Sequence, residues 1–166
     1  MKKKTFNPES KAIKYRDGLW IQSRKRVYLY WFKFLQEALK SDMKVNWSCY
    51  IGWGTKDELL NSKFDDWWES HWKDLFGTET QSEIPKFPLS TNRPKANGLR
   101  TALFVYQFRN LESNLEIADA IRKREKQLRS TSLLEFNHSF DIQNAVSRFK
   151  GKANKILANV CNGQFP

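Results

Sequence analysis

The chain has 166 residues, and its 29 Lys+Arg against 18 Asp+Glu give a net charge of +11. Seven Trp, five Tyr and twelve Phe make it rich in aromatic residues, which excludes a disordered chain, and seven Gly are too few for a collagen-like one. No apolar run reaches the about 18 residues of a transmembrane helix, so no membrane span is expected.

The charge divides the chain into two basic segments that flank an acidic one. Residues 1–55 carry twelve Lys+Arg and four Asp+Glu, residues 56–83 carry three and eight, and residues 84–166 carry fourteen and six. The net charges of the three segments are therefore +8, −5 and +8. A basic surface attracts polyanions and supplies the sequence-independent part of nucleic-acid affinity. The alternative is that the acidic segment packs against a basic one within the fold.

Residues 1–15 are predicted to form a basic, flexible arm, which either touches phosphates or stays solvated. The lysines after Met1 are followed by polar residues, without the apolar core of a secretory signal, so a cytoplasmic location is expected. Cys49 and Cys161 are too far apart in sequence to form a zinc motif. In a reducing compartment they are predicted to be free thiols.

Residues 19–40 are predicted to form a central helix with a wide apolar face at helical spacing. This face has two stripes, Val27-Trp31-Leu35-Ala38 and Tyr28-Phe32-Leu35-Leu39. Arg24, Lys25 and Arg26 lie near the start of the helix, where its dipole disfavours cations unless an anion is bound. These three residues are predicted to add nucleic-acid affinity, and the alternative is that they only face solvent.

Residues 45–53 alternate apolar and polar side chains with the period of a strand, and Gly52 and Gly54 then interrupt the chain. Two structures fit this pattern equally well: a short β-strand, and an ordered loop whose Trp side chains fill the core. The apolar positions are Val45, Trp47, Cys49, Ile51 and Trp53.

Residues 56–76, the acidic Trp-rich segment, are predicted to be helical. Ser62 is the predicted cap, with Asp65 and Asp66 in the first turn. The aromatic side chains of this segment are predicted to serve the core, because the surrounding carboxylates would repel the phosphates of a stacked base. A linker rich in Pro, Ser and Thr at residues 81–98 follows. It separates an N-terminal half, 16–80, from a C-terminal half, 99–166.

Residues 99–109 are predicted to be a helix, although their β-branched and aromatic content also fits a buried strand. Residues 112–129 are predicted to be a second helix that buries Leu115, Ala118 and Ile121. The densest basic cluster of the chain follows on this helix, and we predict that it holds phosphates. It consists of Arg122, Lys123, Arg124, Lys126 and Arg129.

The nine residues from Ser113 to Ile121 contain Glu116-Ile117-Ala118 and resemble a helix of helix-turn-helix DNA-binding proteins. The resemblance makes the C-terminal half helix-turn-helix-like and implies DNA binding in transcription regulation. The tight turn of the motif should follow Ile121, but residues 122–129 continue as good helix. No family is assigned on this basis.

Residues 140–160 are predicted to form the last helix, with Ile142, Val146, Phe149, Ala153, Ile156 and Val160 facing the core. On the other side Arg148, Lys152 and Lys155 follow one another at helical spacing, and Asn144 lies one turn before them. Asn and Arg are the side chains that read adenine and guanine edges. We predict that these four residues enter or border the major groove. The alternative is a solvated helix face.

The sequence offers little support for catalysis. Asp65, Asp66, Glu69 and His71 have the composition of a metal-dependent nuclease site, but His71 leaves the helix face that Asp65 and Glu69 share. Gly-rich phosphate loops and nucleophile motifs are missing from the sequence. We therefore expect no enzymatic activity, no catalytic residue, no metal and no cofactor.

These patterns predict a mainly α-helical protein of two packed halves. Its predicted function is binding of nucleic acid, with duplex DNA favoured over RNA, as a regulator or accessory factor. The alternative is an assembly subunit that docks on an acidic partner or forms a homo-oligomer through the acidic Trp-rich segment. No membrane partner is expected.

Overall fold

The computed structural model describes residues 19–76, 87–91, 94–130, 133–134 and 139–166, with side chains from residue 25 onward. Within these ranges the chain forms helices and no strand, so the predicted mainly α class is confirmed. The predicted arm, residues 1–15, lies outside the described residues. In chain order the elements are α1 (Leu19–Lys40), a 3₁₀ turn (Trp47–Tyr50), α2 (Lys56–Asn61), α3 (Phe64–Phe76), α4 (Ala96–Gln107), α5 (Asn114–Gln127) and α6 (Ser139–Cys161).

Helix α1 has the predicted bounds and lies at the centre of the larger hydrophobic core. Both predicted apolar stripes are buried, and Tyr30 and Phe34 are buried as well. A helix that is apolar on most sides must be covered on most sides. Accordingly, α1 packs against α2, α3, α4 and α6.

Of the two structures considered for residues 45–53, the ordered loop is the one that forms. Trp53 is fully buried, whereas Trp47 is 38% and Ile51 78% exposed, so the alternating pattern does not describe one buried face. Gly52 and Gly54 flank Trp53 with φ values of +92° and +94°, a backbone conformation that residues other than glycine rarely adopt. A Cβ on Gly54 would also collide with the Glu58 carboxylate. The two glycines therefore let the loop insert the Trp53 indole into the core.

The acidic Trp-rich segment forms two helices with a break between them. A capping box between Thr55 and Glu58 starts α2. Ser62 is extended, and its N–H donates to the Glu58 carbonyl oxygen at 2.8 Å, so it ends α2 and is not the cap that begins the longer helix. Helix α3 then starts at Phe64. Trp67 and Trp68 are buried in the core, as predicted.

Helix α4 runs between two hydrophobic cores. Every residue from Gly98 to Val105 is buried, which is why neither a helical nor a strand period stands out in this stretch. Leu99, Ala102 and Leu103 belong to the larger core with α1, whereas Phe104 and Val105 belong to a smaller core with α5 and α6. The helix begins at Ala96, inside the predicted linker, and Phe87 of that linker is buried against α1. The division into two halves stays a prediction.

Helices α5 and α6 close the smaller core. A capping box between Ser113 and Glu116 starts α5, and Arg129, with φ +49°, follows its end. Helix α6 extends from Ser139 to Cys161 and buries its predicted apolar face except for Phe149, which is half-buried. Residues 128–138 separate the two helices. This connection is longer than the three to four residues of a helix-turn-helix turn.

Candidate nucleic-acid interface

The exposed face of α6 carries four of the predicted site residues, and we call Asn144, Arg148, Lys152 and Lys155 the α6 basic stripe. All four are exposed, while Val146, Ala153 and Val160 on the opposite side of the helix are buried. The sequence has no Asp or Glu between Ile142 and Pro166. Within the part of the chain that the structure describes, no cation of the stripe has a carboxylate within ion-pair distance.

Lys152 lies beside the start of α4, where a further cation adds to the stripe. Its Nζ would be 3.1 Å from a Cβ placed on Gly98. Burial lowers the pKa of Lys152, and the charge of Lys95 lowers it further. Lys95 is exposed and precedes α4, whose first turn holds no acidic residue. Sequence reasoning placed Lys95 in the linker and missed it, although an earlier start for α4 would have brought it to this end of the helix.

Gly151 lies on the same exposed side of α6 as the residues of the α6 basic stripe. It is exposed, and a Cβ added there would meet no atom within 4 Å among the described residues. Glycine in a helix interior costs about 0.8–1.0 kcal/mol relative to alanine. Because Gly151 has no side chain, a ligand can approach the helix backbone closely at the position that Arg148, Lys152 and Lys155 surround.

The five predicted phosphate-binding residues of α5 differ in their surroundings. Arg122 donates from Nε and Nη2 to the Leu134 carbonyl oxygen at 3.1 and 2.7 Å, and its Nη1 is 3.5 Å from Asp119, so this side chain is tied to the fold. Arg124 is exposed but lies 6.0 Å from the Phe104 ring centroid. Lys123, Lys126 and Arg129 are exposed.

Arg124 also faces α1. Burial lowers the pKa of Lys33 on α1, and the charges of Arg124 and then of Lys40 lower it further. Lys33 and Lys40 of α1 therefore lie beside the basic residues of α5. Together these residues form a second basic region in addition to the α6 basic stripe.

The predicted basic cluster at the start of α1 contributes to the fold. Lys25 Nζ is 2.8 Å from Asp65 and 3.7 Å from Glu69, and it lies about 6 Å from the ring centroids of Phe64 and Trp68. Here the acidic segment does pack against a basic one, as in the alternative considered above. Arg26 is exposed and donates to Asn97 Oδ1 at 3.4 Å. The Arg24 side chain lies outside the described residues.

Other contacts engage three of the four residues considered for a nuclease site, namely Asp65, Glu69 and His71. Lys25 binds Asp65 and Glu69. His71 Nδ1 is 2.8 Å from the Trp67 carbonyl oxygen, and its Nε2 is 3.7 Å from Glu58. In the described ranges, no three His, Cys, Asp or Glu side chains gather closely enough to hold a metal ion.

Cys49 and Cys161 are free thiols, and burial raises the pKa of Cys161. None of the helices that the structure describes combines the length and apolarity required to cross a membrane. Compared with protein-family models, with curated proteins and with solved structures, the chain matches none of them.

Proposed function

We propose that this protein binds duplex DNA, as a cytosolic regulator or accessory factor, by placing the α6 basic stripe against the major groove. The observation that carries the proposal is the stripe itself: three exposed cations and an asparagine on one helix face, with no carboxylate within ion-pair distance of the cations in the described structure. An exposed α-helix is the element that fits the major groove of B-DNA.

The side chains of the stripe suit different roles. Arg148 and Asn144 have the bidentate geometry that recognises guanine and adenine edges. Lys152 and Lys155 suit phosphate contacts, which fix the position of a protein on the duplex without reading sequence. Burial lowers the pKa of Lys152 most, and repulsion by Lys95 lowers it further; a phosphate near Lys152 would offset that repulsion. Lys123 and Lys126 of α5 would add further phosphate contacts.

Salt-dependent duplex binding tests the proposal. Fluorescence anisotropy with a mixed-sequence duplex should show binding at low salt that weakens as salt rises. Lys155→Gln should weaken binding and reduce the slope of log K against log salt by about 1, and Arg148→Gln should weaken binding and reduce discrimination between duplexes of different sequence. The matched control is Lys63→Gln, which removes the same charge from an exposed position between α2 and α3. The proposal fails if no binding occurs at low salt, or if the control loses as much affinity as the α6 variants.

A competition experiment separates DNA from RNA. Structured RNA presents a deep, narrow major groove that side chains do not read, so a helix that needs the major groove should prefer duplex DNA. If structured RNA competes as well as duplex DNA or better, RNA would be the favoured ligand.

The alternative function, assembly through the acidic Trp-rich segment, has less to support it. Trp67 and Trp68 are buried within this chain, and Lys25 already neutralises Asp65 and Glu69. Light scattering separates the two functions. A monomer that binds DNA favours the first, and a higher oligomer that is indifferent to DNA favours the second.

A further inference from the structure

A cleft of about 230 Å³ opens between the C-terminal half of α4 and the middle of α6. Val105 and Ala153 are its buried apolar residues. The other residues that line it are polar or cationic: Tyr106, Arg109, Lys150 and Asn154. The cleft thus combines an apolar base with two positive charges.

Arg109 is fixed at the cleft by neutral groups. Its guanidinium carbon lies 4.0 Å from the ring centroid of Tyr106. Nη1 donates to the Tyr106 carbonyl oxygen at 2.9 Å and Nη2 to Ser41 Oγ at 3.4 Å. The hydroxyls of Ser41 and Tyr106 lie 2.9 Å apart and hold the ring in place. The guanidinium is therefore positioned while its charge remains uncompensated by these contacts.

Lys150 is fixed in the same manner. Its Nζ donates to Asn114 Oδ1 at 2.7 Å, and the Asn114 amide donates in turn to the Gln143 carbonyl oxygen and to Ser147 Oγ. An ammonium has three N–H donors, so two remain for a ligand. Among the described residues, neither Lys150 nor Arg109 has a carboxylate at ion-pair distance.

We infer that this cleft binds a phosphate monoester or free phosphate. Two cations match the charge of about −1.5 to −2 that a phosphate monoester carries at neutral pH, and Asn154 offers a neutral amide beside them. The volume is below the about 300–1,000 Å³ of pockets for drug-sized ligands, which favours a small phosphate over a whole dinucleotide.

This site is separate from the α6 basic stripe and does not rest on the proposed function. Lys150 is two residues from both Arg148 and Lys152 and therefore lies close to half a turn around the helix from each of them. A duplex on the stripe would leave the cleft unoccupied. The two sources of a phosphate monoester are a free small molecule and the phosphorylated end of a nucleic-acid strand.

Amide chemical shifts followed by NMR during titration with inorganic phosphate, at constant ionic strength, test the inference. The expected result is saturable shifts at residues of the cleft, with affinity reduced about tenfold or more in Arg109→Gln and in Lys150→Gln, because each variant removes a charge-assisted hydrogen bond to the anion. Lys63→Gln is the matched control, since it removes the same charge from an exposed position outside both proposed sites, and it should bind phosphate like the wild type.

Loss of the Lys150–Asn114 contact could also disturb the packing of α5 on α6, so circular dichroism accompanies each variant. Asn154→Ala, at an exposed position, gives a second variant that should weaken phosphate binding without that risk. The inference is overturned if phosphate causes no saturable shifts at the cleft, or if folded Arg109→Gln binds as tightly as the wild type. It is also overturned if Arg148→Gln abolishes phosphate binding, because the anion would then occupy the stripe.

Two oligonucleotides of one sequence, with a 5′-phosphate or a 5′-hydroxyl, distinguish the sources. A preference for the phosphorylated strand that Lys150→Gln removes supports a nucleic-acid end as the ligand. Equal affinities, together with retained binding of inorganic phosphate at the cleft, support a free small molecule. Failure of duplex binding in the salt titration would leave the phosphate titration unaffected, so the two proposals fail separately.

Discussion

The hydroxyl of Tyr50 joins the 3₁₀ turn to α1 and α6, so Tyr50→Phe is expected to destabilise the fold. This oxygen accepts a hydrogen bond from Trp31 Nε1 at 3.0 Å and donates one to the Val160 carbonyl oxygen. Both Tyr50 and Trp31 are buried. Phenylalanine keeps the ring contacts with Trp53 and Phe87 and removes only the hydroxyl.

The expected loss follows from the groups left behind. The Trp31 indole N–H loses its partner in a buried position, which costs about 1–3 kcal/mol. The Val160 carbonyl oxygen still accepts from the Gly163 N–H at 3.0 Å, so it is not left unsatisfied, and only the net value of one hydrogen bond, about 1 kcal/mol, is lost there. We expect the free energy of unfolding to fall by about 2–4 kcal/mol.

Urea unfolding followed by tryptophan fluorescence measures this change, and an unchanged m-value shows that the surface exposed on unfolding is the same. Trp31→Phe completes a double-mutant cycle. In that background no indole N–H is left without a partner by Tyr50→Phe, so the two substitutions should show a coupling free energy of about 1–2 kcal/mol. The reasoning is refuted if Tyr50→Phe changes stability by less than about 0.5 kcal/mol, the usual range for a surface substitution, or if the coupling is near zero.

Three further predictions concern pH, a buried ion pair and the α6 surface. Burial raises the pKa of Tyr50 by more than the Trp31 hydrogen bond lowers it, so the folded state holds this proton more tightly than the unfolded state, where tyrosine titrates near pH 10. Stability should therefore fall as pH rises above about 10, and urea titrations should show this component in the wild type but not in Tyr50→Phe. Glu125→Gln should lower the free energy of unfolding by about 1.5–3 kcal/mol, because it removes a charge-assisted contact, at 3.4 Å, with the buried Arg100 guanidinium, whereas exposed Glu112→Gln should change unfolding little. Gly151→Ala should raise the unfolding free energy by about 0.5–1 kcal/mol and weaken duplex binding in the anisotropy assay; equal or tighter binding would contradict the close approach of DNA to this backbone.

The elements that sequence predicts best are those whose apolar residues recur at helical spacing along the whole element. The apolar period of residues 19–40 and of residues 140–160 gives the bounds of α1 and α6 to within a residue. Helix α4 is buried on all sides, so its sequence lacks a period and admits a strand as well. The break at Ser62 escapes the pattern, because an apolar period continues across it, although the capping residues Thr55 and Glu58 are readable from sequence.

The candidate sites show the same division between local and tertiary information. The α6 basic stripe is a property of one helix, and its exposure follows from the burial of the opposite face. The pairing of Lys25 with Asp65 depends on how α1 packs on α3, so sequence alone placed Lys25 among the nucleic-acid contacts. The cleft proposed to bind phosphate is lined by both Arg109, after α4, and Lys150, within α6, which are 41 positions apart in the sequence.

The packing of Phe165 sets an order of events during synthesis on the ribosome. Its ring is fully buried, stacked at 5.4 Å on Trp31 of α1, and the neighbouring Gly163 packs against Cys49. The larger core therefore joins an early helix to residues translated more than a hundred positions later. At about 5–20 residues per second, α1 leaves the ribosome several seconds before Phe165, so the part of its aromatic face that Phe165 covers stays exposed during that time. Nascent chains halted before residue 165 should recruit chaperones that bind exposed apolar segments, and release of that residue should end the interaction.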